Sequence, residues 1–323
     1  MQTGNSINAA NTKKTVVGNR NRFVKHFGKT WQLYSLLLLP VIFLAIFNYY
    51  PMYGAMIAFK HYKIRAGILG SPWAANYGLE NFIRFFQNYN FADSLKNTLW
   101  LSVYSILISF PTAIMFAIGL NYVINNRFRK TLQLVAYFPY FISTIVLVGM
   151  VNILFNIKTG ALGSILFAIT GHNVLASAAA FPSLFVWSGI WQTVGFNSII
   201  YMATLSGVDV QLHEAAIVDG ATIMQRIRHI DLPVIMPTAA ILLILNVGGI
   251  LNIGYEKVLA MQNPNNLRAS EIISTYAYKI ALASSIPDFA YSTAIGLFQS
   301  GVGLILLLGV NRLSRKLSGE SLW

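Results

Sequence analysis

Six apolar runs along this chain are long enough to cross a bilayer, at residues 31–49, 98–123, 132–155, 181–205, 238–259 and 290–310. A hydrocarbon core about 30 Å thick takes roughly 20 apolar residues in a helix. Lipid offers no hydrogen bonds, so the backbone of each run must pair within itself, and a lone segment does that only as a helix. The sequence therefore predicts an all-α, polytopic membrane protein with six transmembrane helices. The composition agrees: 55% of residues are hydrophobic and 10% charged, against about 25% charged in soluble domains. A cysteine count of zero excludes disulfides, thiol catalysis and thiolate metal sites.

The runs divide the chain. Residues 1–30 form a basic tail. The first span and an extracytoplasmic loop fill 31–96, a core transmembrane domain fills 97–316, and 317–323 is a short C-terminus. The first apolar run exceeds the core of a secretory signal and lacks a clean cleavage site, so it is read as an uncleaved span. Pro40 is expected to bend it, and Tyr49–Gly54 to turn at the bilayer surface. Within 58–92, Phe82, Phe85 and Phe86 share one face of a short helix, which suits the membrane, a partner or the protein's own helices. Residues 161–170 are too few to cross. The formal net charge is +13, read as positive-inside topology and contact with anionic lipid. Arg127, Arg129 and Lys130 cluster beside a span, as do Arg312, Arg315 and Lys316. They lie on the side of the basic tail, so both termini and the segment 206–237 are placed in the cytoplasm of a bacterial inner-membrane protein.

That segment is a polar island between apolar runs. Ala215, Ala216, Gly220 and Ala221 are small enough for another surface to approach the backbone. Asp219-Gly220 suits a helix end, because glycine takes the left-handed conformation at little cost. Ile223, Ile227 and Ile230 then repeat near helical spacing, and Leu232-Pro233 is expected to stop the helix. The island reads as two short helices meeting at a corner near Gly220, with Glu214 placed to meet a cation on a partner. The chain has no Gly-x-x-x-x-Gly-Lys-Ser/Thr loop, so it does not hold ATP in such a loop.

The order Glu214-Ala215-Ala216, Asp219-Gly220-Ala221, Leu232-Pro233 and Pro237 resembles the EAA loop of ABC importer permeases. Ile227 departs from the phenylalanine more usual there. Asn97-Thr98-Leu99 and Pro139–Ser143 are similar to the oligosaccharide branch of that family. Tyr50–Gly54, Ala58-Phe59-Lys60, Gly78–Phe82, Asn246–Gly249 and Tyr255–Leu259 resemble its LplB-type subgroup, which includes permeases for alginate and rhamnogalacturonan oligomers. The resemblance covers about residues 31–316. It implies a type I importer permease fold and a translocation path for an oligosaccharide, with acidic fragments as one option. It also implies a second permease, two ATPase subunits and an extracytoplasmic solute-binding protein as partners. ATP and magnesium would sit on the ATPase subunits, with no cofactor on this chain. The residues implied to couple to the ATPase are Glu214, Ala215, Ala216, Asp219, Gly220, Ala221, Ile227, Leu232 and Pro233.

A sugar path needs hydroxyl partners and aromatic faces. Trp187, Trp191, Ser198 and Tyr201 fall within an arc of roughly 80° on one helix. Asn246, Asn252 and Gln299 lie at bilayer depth, where polar groups face the interior or a wet cavity. Helix packing explains the tryptophans equally well, and interhelical hydrogen bonding the amides. Lys60, Lys63, Arg65, Arg84, Arg268 and Lys279 lie on the outer side and could draw in an acidic oligomer. Two other classes compete. An ion-coupled transporter would want a carboxylate well inside a span, and Glu256 stands near an end. A membrane enzyme would want a catalytic cluster, and His172 and His229 each stand alone. An importer permease for a non-sugar solute stays open.

Overall fold

The computed structural model describes residues 30–318, 321 and 322. All of the tail 1–30 except Thr30 lies outside that range, as does part of the 317–323 terminus. Among the described residues the regular structure is helical, apart from one isolated antiparallel bridge between Lys60 and Trp73. The chain divides into two units, Met1–Met56 and Ile57–Trp323.

The first unit holds most of α1 (Thr30–Phe59). Leu36, Leu37 and Leu39 are exposed on it, as suits a helix apolar all round and meant for lipid. The helix continues past Pro40, whose ring supplies no N–H to the carbonyl four residues back. It widens to a π turn over Ala45–Tyr49, where the Tyr50 N–H reaches back to the Ala45 carbonyl. The expected turn at 49–54 is absent. Pro51 instead opens the short α segment Tyr50–Met52, a place where a missing N–H costs little.

In the second unit, α2 (Glu80–Phe86) leads to α3 (Phe91–Asn121), which starts seven residues before the expected span and carries Pro111 inside it. The face of Phe82, Phe85 and Phe86 packs on the protein's own chain. Phe85 is buried with Ile273, Tyr291 and Ile295, Phe86 meets Phe298, and Phe82 meets Phe59.

The third expected span is a bent pair. Helix α4 (Asn126–Tyr137) passes through a 3-10 turn at Phe138–Phe141 and breaks, and α5 (Thr144–Leu154) leaves at 101°. Pro139 opens the 3-10 turn. Ile142 and Ser143 are extended, and the Ser143 hydroxyl accepts from the Val146 N–H to start a new helix. A local N-cap thus competes with continuing the old helix. The short α6 (Ala161–Thr170) follows, then the 25-residue α7 (Phe181–Leu205).

The fifth run differs most from expectation. After α8 (Val210–Val218), one helix, α9 (Ile223–Gly248), runs from the polar island into the apolar run. Leu232-Pro233 does not stop it. A π turn at Ile227–Asp231 comes first, with the Leu232 N–H bonded to the Ile227 carbonyl five residues back. Pro51 and Pro233 share this arrangement. A proline ring collides with the carbonyl four residues earlier, and a widened turn just ahead of it shifts that carbonyl aside. α9 then ends at Gly248, short of the expected 259, and α10 (Tyr255–Met261) is separate. The loop that follows adds α11 (Leu267–Ser270) and α12 (Ile273–Tyr278), and α13 (Phe289–Ser318) comes last. A side chain at Gly303 would stand 2.8 Å from the Gly248 carbonyl oxygen, so α9 and α13 touch backbone to backbone there.

Among the described residues, four helices are long and apolar enough to cross a membrane, or five if the bent pair counts as one. α7 has the length, about 37 Å at 1.5 Å per residue, but is not among them. Gln192, Thr193, Asn197 and Ser198 lower its hydropathy.

Candidate functional site

The polar island folds as a capped corner. Asp209 starts α8 by accepting from the Gln211 N–H at 2.9 Å. At its end Asp219 is the C-cap and Gly220 takes φ +79°. The Ala221 N–H bonds to the Ala216 carbonyl at 2.8 Å and the Gly220 N–H to the Ile217 carbonyl at 3.0 Å. This is the paired closure that a left-handed glycine makes possible at a helix end. Two residues later Thr222 and Gln225 cap each other and start α9. Local chemistry alone therefore stops one helix and starts the next.

The corner is exposed and apolar. Val218 is 86% exposed and Met224 71%, with Ile217 and Ile223 beside them. Glu214, Ala215, Asp219 and Gly220 are exposed around this patch, while Ala216 and Ala221 are half-buried. Contiguous apolar surface rimmed by charge marks a contact site. Ile217, Val218 and Met224 escaped the sequence reading because apolar residues near a helix corner read as packing. The structure distinguishes them from packing residues, because α8 buries no residue at all.

Ile227 and Leu232 turn the other way. They pack against an inner cluster formed by Ala113, Ala117, Tyr201, Leu205, Ile235 and Ala239. The substitution of isoleucine for phenylalanine at 227 therefore alters how α9 seats on α3 and α7, not the exposed corner. Pro233 is exposed. Beside this cluster lies a buried polar group. Asp231 is fully buried and accepts from the Tyr122 hydroxyl at 2.7 Å, and His213 Nε2 stands 3.4 Å from its other oxygen. Burial, then the hydrogen bond to Asp231, push the Tyr122 phenol up to about 12. It stays a proton donor at neutral pH.

Residues 109–319 match the family of binding-protein-dependent transport system inner membrane components. The chain belongs to that family. It is a multi-pass permease subunit of an ABC importer, a transport component and not an enzyme. It is 36% identical to protein LplB of Bacillus subtilis strain 168 over 293 residues, covering 90% of this chain and 91% of that one. It is 38% identical to the polygalacturonan/rhamnogalacturonan transport system permease protein YteP of the same organism, covering 90% of each. Its fold matches the crystal structure of a bacterial ABC transporter involved in import of the acidic polysaccharide alginate. The TM-score is 0.82 at 35% identity, over 92% of this chain and 99% of that one. A crystal structure of a bacterial alginate ABC transporter in complex with an alginate pentasaccharide-bound periplasmic protein matches with TM-score 0.82 and 34% identity, over 93% and 100%.

The permease's candidate path residues separate into three places. Trp187 and Trp191 are exposed and line an apolar groove of about 480 Å³ with Leu147, Met150, Leu166 and Leu184. Tyr201 and Asn246 come together in a smaller cavity of about 130 Å³, which also takes Ser109 and Asn197. Asn246 donates to the Leu242 carbonyl at 2.8 Å, leaving its own carbonyl oxygen free to accept. Asn197, one turn before Tyr201, was legible by spacing and went unread. Asn252 is exposed in the break after α9. Gln299 is buried and donates to the Leu251 carbonyl and the Ser274 hydroxyl, at 2.8 and 2.9 Å. Those bonds tie α13 to the break. The arc on α7 thus holds in angle but not in depth, because its first half borders a groove and its second half is covered by α3 and α9.

Of the six cations expected on the outer side, three are committed within the protein. Lys60 is buried and donates to the Ile68 and Leu69 carbonyls. Arg84 pairs with Asp288 and Lys279 with Glu271, each at 2.7 Å. Lys63, Arg65 and Arg268 are exposed with no ion-pair partner among the described residues.

Proposed function

We propose that this subunit forms half of the translocation path of an ATP-driven importer of oligosaccharides, and that acidic fragments are among its cargo. The observation that carries the coupling half of this reading is the exposed corner of Ile217, Val218, Ile223 and Met224 rimmed by Glu214 and Asp219. A surface of that kind on a membrane subunit with no phosphate loop of its own suits docking to an ATPase subunit. ATP and magnesium are held there, on two such subunits. A second permease completes the path and an extracytoplasmic binding protein delivers the sugar. α7 crosses the membrane as the sixth span, with its polar residues turned to protein and cavity, and both termini face the cytoplasm.

The similarity to YteP and to the alginate transporters supports an oligosaccharide substrate. The free Lys63, Arg65 and Arg268 support an acidic one, since exposed like charges attract opposite charge over a distance. The test is ATPase activity of the importer rebuilt in liposomes with its partner permease, ATPase and binding protein, against neutral and acidic oligosaccharides. An acidic oligomer should stimulate the wild type. Converting Lys63, Arg65 and Arg268 to Gln should lower that stimulation severalfold at low salt while leaving any neutral sugar's effect unchanged. No stimulation by any saccharide contradicts the substrate reading.

A further inference from the structure

The helix that carries most of the exposed corner is weakly held by packing. α8 buries no residue, and among the described residues its side-chain polar tether to a long helix is His213, whose Nε2 stands 3.4 Å from Asp231. Asp231 closes the π turn of α9 and is fully buried. Its second oxygen accepts from Tyr122, the residue that caps α3. The Tyr122 ring meets the His213 ring edge to face at 6.4 Å and lies under the Arg226 guanidinium at 5.5 Å. Three elements therefore converge on one carboxylate and one phenol: α8 through His213, α9 through Asp231 and Arg226, and α3 through Tyr122.

Apolar packing alone would not need this group. A carboxylate taken out of water is costly unless it is paired in good geometry. Here two polar atoms of the group, Asp231 Oδ1 and Arg226 Nε, are buried without a hydrogen bond. Such an arrangement adds little to stability but fixes one relative placement of the elements that share it.

We propose that Asp231, Tyr122 and His213 form a latch that makes α8 move as one body with the ends of α3 and α9, so that displacement of the corner reaches the transmembrane helices. They act as positioning residues. The latch rests on the reading that the corner is the point of coupling, but its rigidity can be measured separately from docking.

The chain has no cysteine, so spin labels can be placed at two introduced cysteines alone. Gln211 on α8 and Ile124 just after α3 are exposed and outside the latch. In the assembled importer, the wild-type Gln211→Cys/Ile124→Cys distance should be narrow, with the same modal value in nucleotide-free and ATP–vanadate-trapped states. Tyr122→Phe, which removes one hydroxyl, and Asp231→Asn should each broaden it roughly twofold, as expected when a locally weak element is released. Ile235→Val, which trims the neighbouring core without touching the latch, should leave the width unchanged. Unchanged width in both latch variants overturns the proposal. So does equal broadening by Ile235→Val, or a wild-type distance that shifts between the two states. If the ATPase subunits failed to bind at all, the docking reading would fall, while the distance widths in the permease pair would still decide the latch.

Discussion

Gly220 shows how far a single residue can be read from sequence. The motif Asp219-Gly220 announces a left-handed helix end, and the backbone delivers φ +79° with both closing hydrogen bonds. A side chain there costs about 1–2 kcal/mol, and proline, held near φ −65°, cannot adopt it. Gly220→Ala should therefore insert and transport at reduced rate. Gly220→Pro should insert yet lose ATP-dependent uptake, measured per unit of subunit in the membrane. Full uptake by the proline variant would mean the corner is dispensable. Ile227 shows the opposite case. Its apolar character and its position in the motif were legible, but the direction of its side chain was not. The π turn at Ile227–Asp231 shifts that stretch relative to a regular helix, and Ile227 packs inward against the buried cluster shared by α3, α7 and α9.

At the scale of elements, the apolar runs located the helices and failed at their breaks. Pro51 suits a turn and Pro233 a stop, yet neither ends its helix. A widened turn precedes Pro51 and Pro233, and whether a chain can widen depends on neighbours that sequence does not display. The real breaks fall at Ile142-Ser143 and after Gly248. Helix contacts were likewise hidden. On α7, a side chain at Gly195 would stand 2.2 Å from the Ala136 carbonyl oxygen of α4, whereas at Gly301 of α13 it would meet nothing within 4 Å. Gly195→Ala should push the two helices apart and cost about 1–3 kcal/mol, seen as a lower unfolding midpoint in detergent. Gly301→Ala should leave that midpoint unchanged or raise it slightly, as alanine does inside a helix. Equal midpoints for the two variants would argue against a tight contact between α7 and α4.

For the molecule as a whole, composition and hydropathy gave the class, and the resemblance of the polar island to the EAA loop of importer permeases gave the function. The island was readable because caps, glycine corners and small residues act locally. The path was less so, because a cavity such as that of Tyr201, Asn246 and Asn197 forms from residues far apart in sequence. The second unit is built on separate apolar clusters. One joins α3, α5, α7 and α10, and another joins α3, α7 and α9 next to the corner. A push at the corner therefore meets three long helices already packed together.

The exposed corner is the face proposed to meet the ATPase. Val218→Asp with Met224→Asp places two charges on the most exposed apolar side chains there without touching the capped turn or the buried Asp231. The direct measurement is co-purification of the ATPase subunits with the permease pair, read together with saccharide-stimulated ATP hydrolysis. The double variant should still pair with the second permease but lose the ATPase subunits and the stimulation; full retention of both would contradict the account.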